Sequence, residues 1–152
     1  MRRSEKEISD RAIIDAVILR SRICRLALAF NDCPYVIPIC FGYENNALYF
    51  HSAPEGRKID ILQKNNKVCF EFDTDHQIVE AEKACKWGMK YRSVIGSGKA
   101  SFVEDPESKR KALGIIMRQY SDREHQFDET AIGKTVIIKV DIETITGKQS
   151  GY

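Results

Sequence analysis

The chain has 152 residues, enough for one domain (1–152) with a proper core. Charged side chains make up 30% and the hydrophobic set 43%, a globular balance that excludes a disordered chain. With 24 basic against 22 acidic side chains the formal net charge is +2, too near neutral to argue for nucleic acid or an anionic membrane as partner.

No apolar run approaches the ~20 residues of a membrane span, and the amino terminus is charged without an apolar signal core. Neither insertion nor export is therefore expected. The five cysteines are odd in number and no C-x-x-C occurs, so neither a disulfide framework nor a structural zinc site is expected. Cys24, Cys40 and Cys69 lie in strand-like runs, where cysteine acts as a small buried hydrophobe. A reducing cytoplasm fits this usage.

In chain order, residues 4–19 read as a helix, with Ile8, Ala12, Ala16 and Leu19 on one side and Ile14 and Ile18 elsewhere. Such a helix is apolar over more than one stripe, which predicts contacts on two sides, one of them with a second subunit. From Arg22 the period changes to two, giving a strand over 24–30, a turn at 31–34 and a second strand over 35–43. Pro38 inside the second strand cannot donate a ladder hydrogen bond, so it marks an edge or an irregularity. A tight connection at 44–46 leads to a third strand over 47–51, completing an antiparallel meander.

The segment LYFHSAPEGRKIDIL (48–62) carries the strongest local signal. Ser52 followed by Glu55 has the spacing of a capping box before a helix over 54–64. Free N–H groups at the helix start, a hydroxyl, Arg57 and Lys58 together suit a phosphate. The alternative is a well-capped surface helix with two solvated cations.

A fourth strand follows over 68–72, then a polar loop over 73–86. Residues 91–103 read as a long fifth strand with Gly96 and Gly98 at bends or bulges. Asp105 and Pro106 suit the Ncap and N1 of a helix through Tyr120, and 136–143 alternates cleanly as a last strand. The tail 147–152 has no visible core role. His76 and His125 lie in polar stretches without a ligand spacing, so no metal site is expected. The fold expected is mainly β with peripheral helices, a six-stranded antiparallel barrel, closed or split. The βαβ alternation of a doubly wound sheet is absent, as are G-x-G-x-x-G and the P-loop.

Four segments, IPICFGYE, LYFHSAPEGRK, NNKVCFEFD and YRSVIGSGKA, in this order, resemble the FMN-binding split barrels related to pyridoxamine 5′-phosphate oxidase. Within these the chain is most similar to the nitroimidazole-resistance (Nim-like) branch. The resemblance implies a homodimer with flavin at the subunit interface. It implies FMN, with FAD possible because both present a phosphate to the same loop. It makes Lys58 the phosphate ligand with Arg57 and Ser52 beside it, and lays the backbone of Pro38, Ile39, Cys40 and Phe41 along the isoalloxazine ring. It makes Tyr91, Arg92 and Ser93 a second cofactor-contacting strand, and brings His51 near the flavin. An imidazole there can bind or protonate a substrate; the alternative is a strand-end histidine that touches cofactor only.

The activity so implied is a flavin-dependent oxidoreductase acting on a small organic substrate, such as a nitro compound. Oxidation of pyridoxamine phosphate itself needs a second phosphate site, for which no second cation cluster is present. Two alternatives stand beside it: a flavin-binding or flavin-sensing module without turnover, and a carrier of haem or another ligand on the same barrel.

Overall fold

The computed structural model describes residues 3–152. A 3₁₀ turn (Ser4–Lys6) leads into a two-residue strand β1 (Glu7–Ile8), and helix α1 (Arg11–Arg20) begins only after Asp10. The single helix expected from residue 4 is thus broken. Asp10 is extended, and its carboxylate accepts from the Ala12 N–H, a local bond that makes it an N-cap and stops the helix from reaching upstream. Ile8 is buried on β1, which pairs with the tail of the chain at Gly147.

Strands β2 (Cys24–Phe30) and β3 (Cys33–Ile39) form a hairpin about Asn31 and Asp32, whose φ values of 50° and 58° define a two-residue type I′ turn. In such a hairpin the residues flanking the turn, Phe30 and Cys33, exchange hydrogen bonds. Alternation then puts Pro34, Val36 and Pro38 at positions whose backbone groups point away from β2. Pro38 removes no bond from the ladder; it sits on the free side of an edge strand, as a proline can.

The expected second strand does not run on to Tyr43. It ends at Ile39, and β4 (Gly42–Glu44) starts after a break at Cys40 and Phe41. A second two-residue turn at Asn45 and Asn46 (φ 51° and 59°) joins β4 to β5 (Ala47–Ser52). Next come α2 (Arg57–Lys64), β6 (Lys67–Val79), a 3₁₀ turn (Ala84–Lys86), β7 (Gly88–Val103), α3 (Pro106–Arg118), α4 (Glu129–Lys134) and β8 (Val136–Ser150). The first half of the expected loop over 73–86 is therefore the end of β6, which pairs with β7 across a register slip between Thr74 and Gln77. Asp75, with φ 59°, lies in that slip.

The six expected strands become eight, all antiparallel, in one sheet of order β3-β2-β6-β7-β8-β5-β4, with β1 attached to β8. The path does not close: β3 and β4, adjacent in sequence, stand at its two ends. Mainly β with peripheral helices holds as the fold class. The interior is filled by Leu26, Phe41, Leu48, Phe50, Phe70, Phe72, Val94 and Val140, with α1 and α2 contributing Ile14, Val17, Ile18, Ile59 and Leu62. Burial of such side chains stabilises by roughly 1.5–3 kcal/mol each. A smaller cluster under α3 joins Ala112 and Ile116 to Ile137.

The tail expected to lack a core role is the last part of β8. Gly147 is buried there, and a Cβ on it would stand 2.8 Å from Ile8 Cβ and 2.9 Å from Ile14 Cγ1. Among the described residues no helix is long and apolar enough to cross a membrane.

Candidate functional site

The capping box read at Ser52 is not formed. Ser52 is the last residue of β5, paired with Val136, and its buried hydroxyl donates to the Ala53 carbonyl at 2.8 Å. The N-cap of α2 is Gly56 instead, with φ 125°, a conformation L side chains rarely adopt. The glycine lets the chain turn from β5 into the helix within four residues, Ala53 to Gly56. The consequence for the site is small, because Arg57 and Lys58 still open the first turn of α2.

A groove of about 320 Å³ runs between this turn and the free side of β3. On one side it is lined by Tyr35, Ile37, Pro38 and Ile39; on the other by Ser52, Ala53 and Glu55 through Lys58. The Arg57 guanidinium stacks over the Tyr35 ring at 4.5 Å, which holds the cation at the groove wall. Among the described residues neither Arg57 nor Lys58 is paired with a carboxylate. Burial pushes the Lys58 ammonium below its ordinary value, the mark of a partly desolvated cation lacking a counter-charge. Two cations at a helix start, beside an edge strand whose outward carbonyls are free, form a place for an anion with a flat group attached.

The other residues singled out in the sequence fall into three places. Cys40 and Phe41 lie in the break after β3; Cys40 is exposed, whereas Phe41 is fully buried and its N–H already donates to the Tyr120 hydroxyl at 2.9 Å. That N–H is not free for a ligand.

His51 is exposed, and it is not part of the groove wall. Strand alternation explains this. Leu48 and Phe50 point into the barrel, whereas Tyr49 packs on the α3 cluster, so His51 shares the α3 face of β5.

Tyr91, Arg92 and Ser93 lie on β7, separated from β3 within the sheet by β6 and β2. Arg92 donates to Asp75 at 2.8 Å and lies 4.2 Å from the centre of the Tyr152 ring. This pairing, together with the Arg20 cation 2.9 Å away, holds the Asp75 carboxyl below the usual carboxylate range. The phosphate-type groove and the Tyr91–Ser93 segment are thus not brought together within one chain.

Tyr120, whose hydroxyl takes up the Phe41 N–H, carries no sequence signal for this role. An aromatic at the end of a helix gives no sign of which backbone it will reach.

These features can be set against known proteins. A family model described as pyridoxamine 5′-phosphate oxidase matches residues 10–149. The chain belongs to the pyridoxamine 5′-phosphate oxidase family. A proposed 5-nitroimidazole antibiotic resistance protein from Bacteroides thetaiotaomicron VPI-5482 is 40% identical, with a TM-score of 0.86 over 94% of this chain and 86% of that one. The FAD and haem binding protein of Mycobacterium smegmatis is 17% identical and shares the fold, with a TM-score of 0.87 over 97% of this chain and 74% of that one. An uncharacterised protein of Rhizobium meliloti (strain 1021) is 32% identical over 92 residues, 60% of this chain. The match spans about half the length of that curated relative, 54%.

Proposed function

We propose that the chain binds a flavin, FMN in the first instance, and works as an oxidoreductase on a small organic acceptor, nitro compounds being the first class to test. The observation that carries the reading is the pair Arg57 and Lys58, without carboxylate partners among the described residues, one stacked in place and the other partly desolvated at the groove. That donor set fits a phosphate monoester, and the adjoining β3 edge offers backbone acceptors to the polar rim of a planar ring. Family membership and the 40% identical relative support the same reading.

A bound flavin supplies reversible two-electron chemistry. The chain's own part is to hold it. Lys58 and Arg57 neutralise the phosphate, and Ser52 can turn its hydroxyl from Ala53 toward it. Pro38, Ile39 and Cys40 line the ring. The segment Tyr91–Ser93 lies too far along the sheet to complete this site, so in this reading it comes from a second copy in a homodimer. His51 is the candidate proton donor to the substrate.

One observation favours a second reading, a flavin-holding module without turnover: His51 stands on the opposite face of β5 from the barrel interior. A haem carrier on the same barrel is the remaining alternative.

The visible spectrum of the purified protein, with mass analysis of whatever heat releases, tests the core of the proposal. A flavin band with FMN released is the expected result, and FAD released would amend the cofactor. A protein that is colourless and refuses added FMN would overturn the reading. Consumption of NADH or NADPH with a nitro acceptor, in wild type and in His51→Ala, separates enzyme from module. No turnover by either protein with any donor would leave the module. Full cofactor occupancy in Lys58→Ala would contradict the phosphate assignment and favour a non-flavin ligand.

A further inference from the structure

The break between β3 and β4 needs something to hold it. Two peptides there, at Cys40 and Phe41, belong to neither strand, and Phe41 is fully buried. A buried N–H without a partner is costly, so its acceptor decides the local conformation. That acceptor is Tyr120, which follows the last turn of α3. The same hydroxyl donates to the Arg22 carbonyl at 3.0 Å, just before β2. The Tyr120 ring meets the Phe41 ring edge-on, 6.5 Å between centres and 80° between planes.

The neighbouring contacts make the tie rigid. Gln119 donates its side-chain amide to both the Leu19 and Ser21 carbonyls at 2.9 Å, fastening α3 to the end of α1. Gly42, directly after the break, lies so close under α3 that a Cβ on it would stand 2.6 Å from the Ile116 nitrogen. Burial pushes the Tyr120 phenol up to about 12, so the hydroxyl keeps the proton it donates to Arg22 throughout the neutral range.

We propose that Tyr120 is a positioning residue for the flavin site, its hydroxyl setting the peptide at Cys40 and Phe41 so that Ile39 and Cys40 present their backbone to the ring. The proposal rests on the flavin reading above. Tyr120 touches neither cofactor nor substrate in it. By occupying the Phe41 N–H it determines which backbone groups of the break remain for a ligand.

The test compares Tyr120→Phe with Gln119→Leu in the full chain. The first keeps the ring and loses the hydroxyl; the second loosens α3 without touching the break. Three quantities are read: amide hydrogen exchange at Phe41 without ligand, FMN affinity, and the midpoint potential of bound FMN. In Tyr120→Phe the Phe41 amide is expected to exchange about tenfold faster or more, with FMN binding weakened by about tenfold and the potential shifted. In Gln119→Leu, stability falls and the Phe41 amide speeds up by no more than that loss of stability accounts for, while FMN affinity and the midpoint potential stay at the wild-type value. Equal effects of the two variants on affinity and potential would reduce Tyr120 to a structural residue and overturn the proposal.

Wild type alone provides a second check if Tyr120→Phe does not fold. Its Phe41 amide is expected to exchange slowly with or without FMN, while the Cys40 amide slows when FMN is added. A fast-exchanging Phe41 amide overturns the proposal whatever the variant does. A wild-type chain that takes up no FMN but keeps a slow Phe41 amide identifies the flavin reading as what failed, and removes the site Tyr120 was proposed to position.

Discussion

Lys58 illustrates how a cation held at a groove can oppose stability. Its ammonium is partly buried and pairs with no carboxylate among the described residues, so folding lowers its affinity for a proton. The sign follows from linkage. Below the lowered value the folded chain carries the full burden of a desolvated charge, and above the ordinary lysine value it carries none. Stability of the ligand-free protein therefore rises with pH through that alkaline interval. Lys58→Met is expected to raise the melting temperature of the flavin-free protein at neutral pH and to flatten its alkaline pH dependence. With excess FMN the order reverses, because wild type gains ligand linkage and the variant loses at least tenfold in affinity. Thermal melts with and without FMN, from neutral into the alkaline range, read both effects. Arg57 and Lys58 were legible from sequence as two cations at a helix start. Their isolation from carboxylates was not, because it depends on what the folded chain leaves out of reach.

At the scale of elements, the free side of β3 and the contact of α3 with β4 make opposite demands. Pro38 replaces an N–H that points away from the ladder, so Pro38→Ala is expected to change unfolding free energy by less than about 1 kcal/mol. A gain of more than that in denaturant titration would mean that position 38 faces the ladder, where the restored N–H finds an acceptor. Gly42→Ala faces the α3 backbone at 2.6 Å, where no side chain can swing aside. Such overpacking costs about 1–3 kcal/mol, so the midpoint of denaturant unfolding should fall with an unchanged slope.

Local patterns named most elements correctly. Period-two alternation located β2 and the first half of β8, strand-like runs located β5 and β7 from Tyr91 on, and Asp105 with Pro106 marked the start of α3, where the Asp105 carboxylate does accept from the Ser108 N–H. The misreadings have specific causes. Asp10 caps a helix inside a pattern that looked helical from residue 4. Ser52 and Glu55 have capping-box spacing, but pairing with Val136 keeps Ser52 in a strand and moves the helix start to Arg57. The polar residues 73–79 looked like loop because this half of β6, paired with β7 on one side only, is held by ladder bonds without apolar alternation.

For the whole molecule, the separation of the Lys58 groove from the Tyr91–Ser93 segment carries a prediction about assembly. A chain mass of 17.4 kDa should correspond to a dimer about twice that size in solution, readable by sedimentation. Lys58→Ala and Arg92→Ala are each expected to lose FMN. Refolded together in equal amounts they should recover about a quarter of the wild-type sites, since half the dimers are mixed and each mixed dimer has one intact site. No recovery would mean that both residues act within one chain, or that Arg92 serves only its ion pair with Asp75.

The sequence by itself determined the β-rich class, the order of most elements and the cationic character of the turn after β5. These depend on periodicity, glycine and proline placement, and residue type, all local in the chain. Only the tertiary structure decided that β3 and β4 stand at opposite ends of one open sheet, that the tail closes against β1, and that His51 faces α3. It alone brought Tyr120 to the break 79 residues away. These are consequences of long-range strand register and of helix docking on a shared core, and a one-residue change of register would reverse the facing of His51 without altering any local pattern.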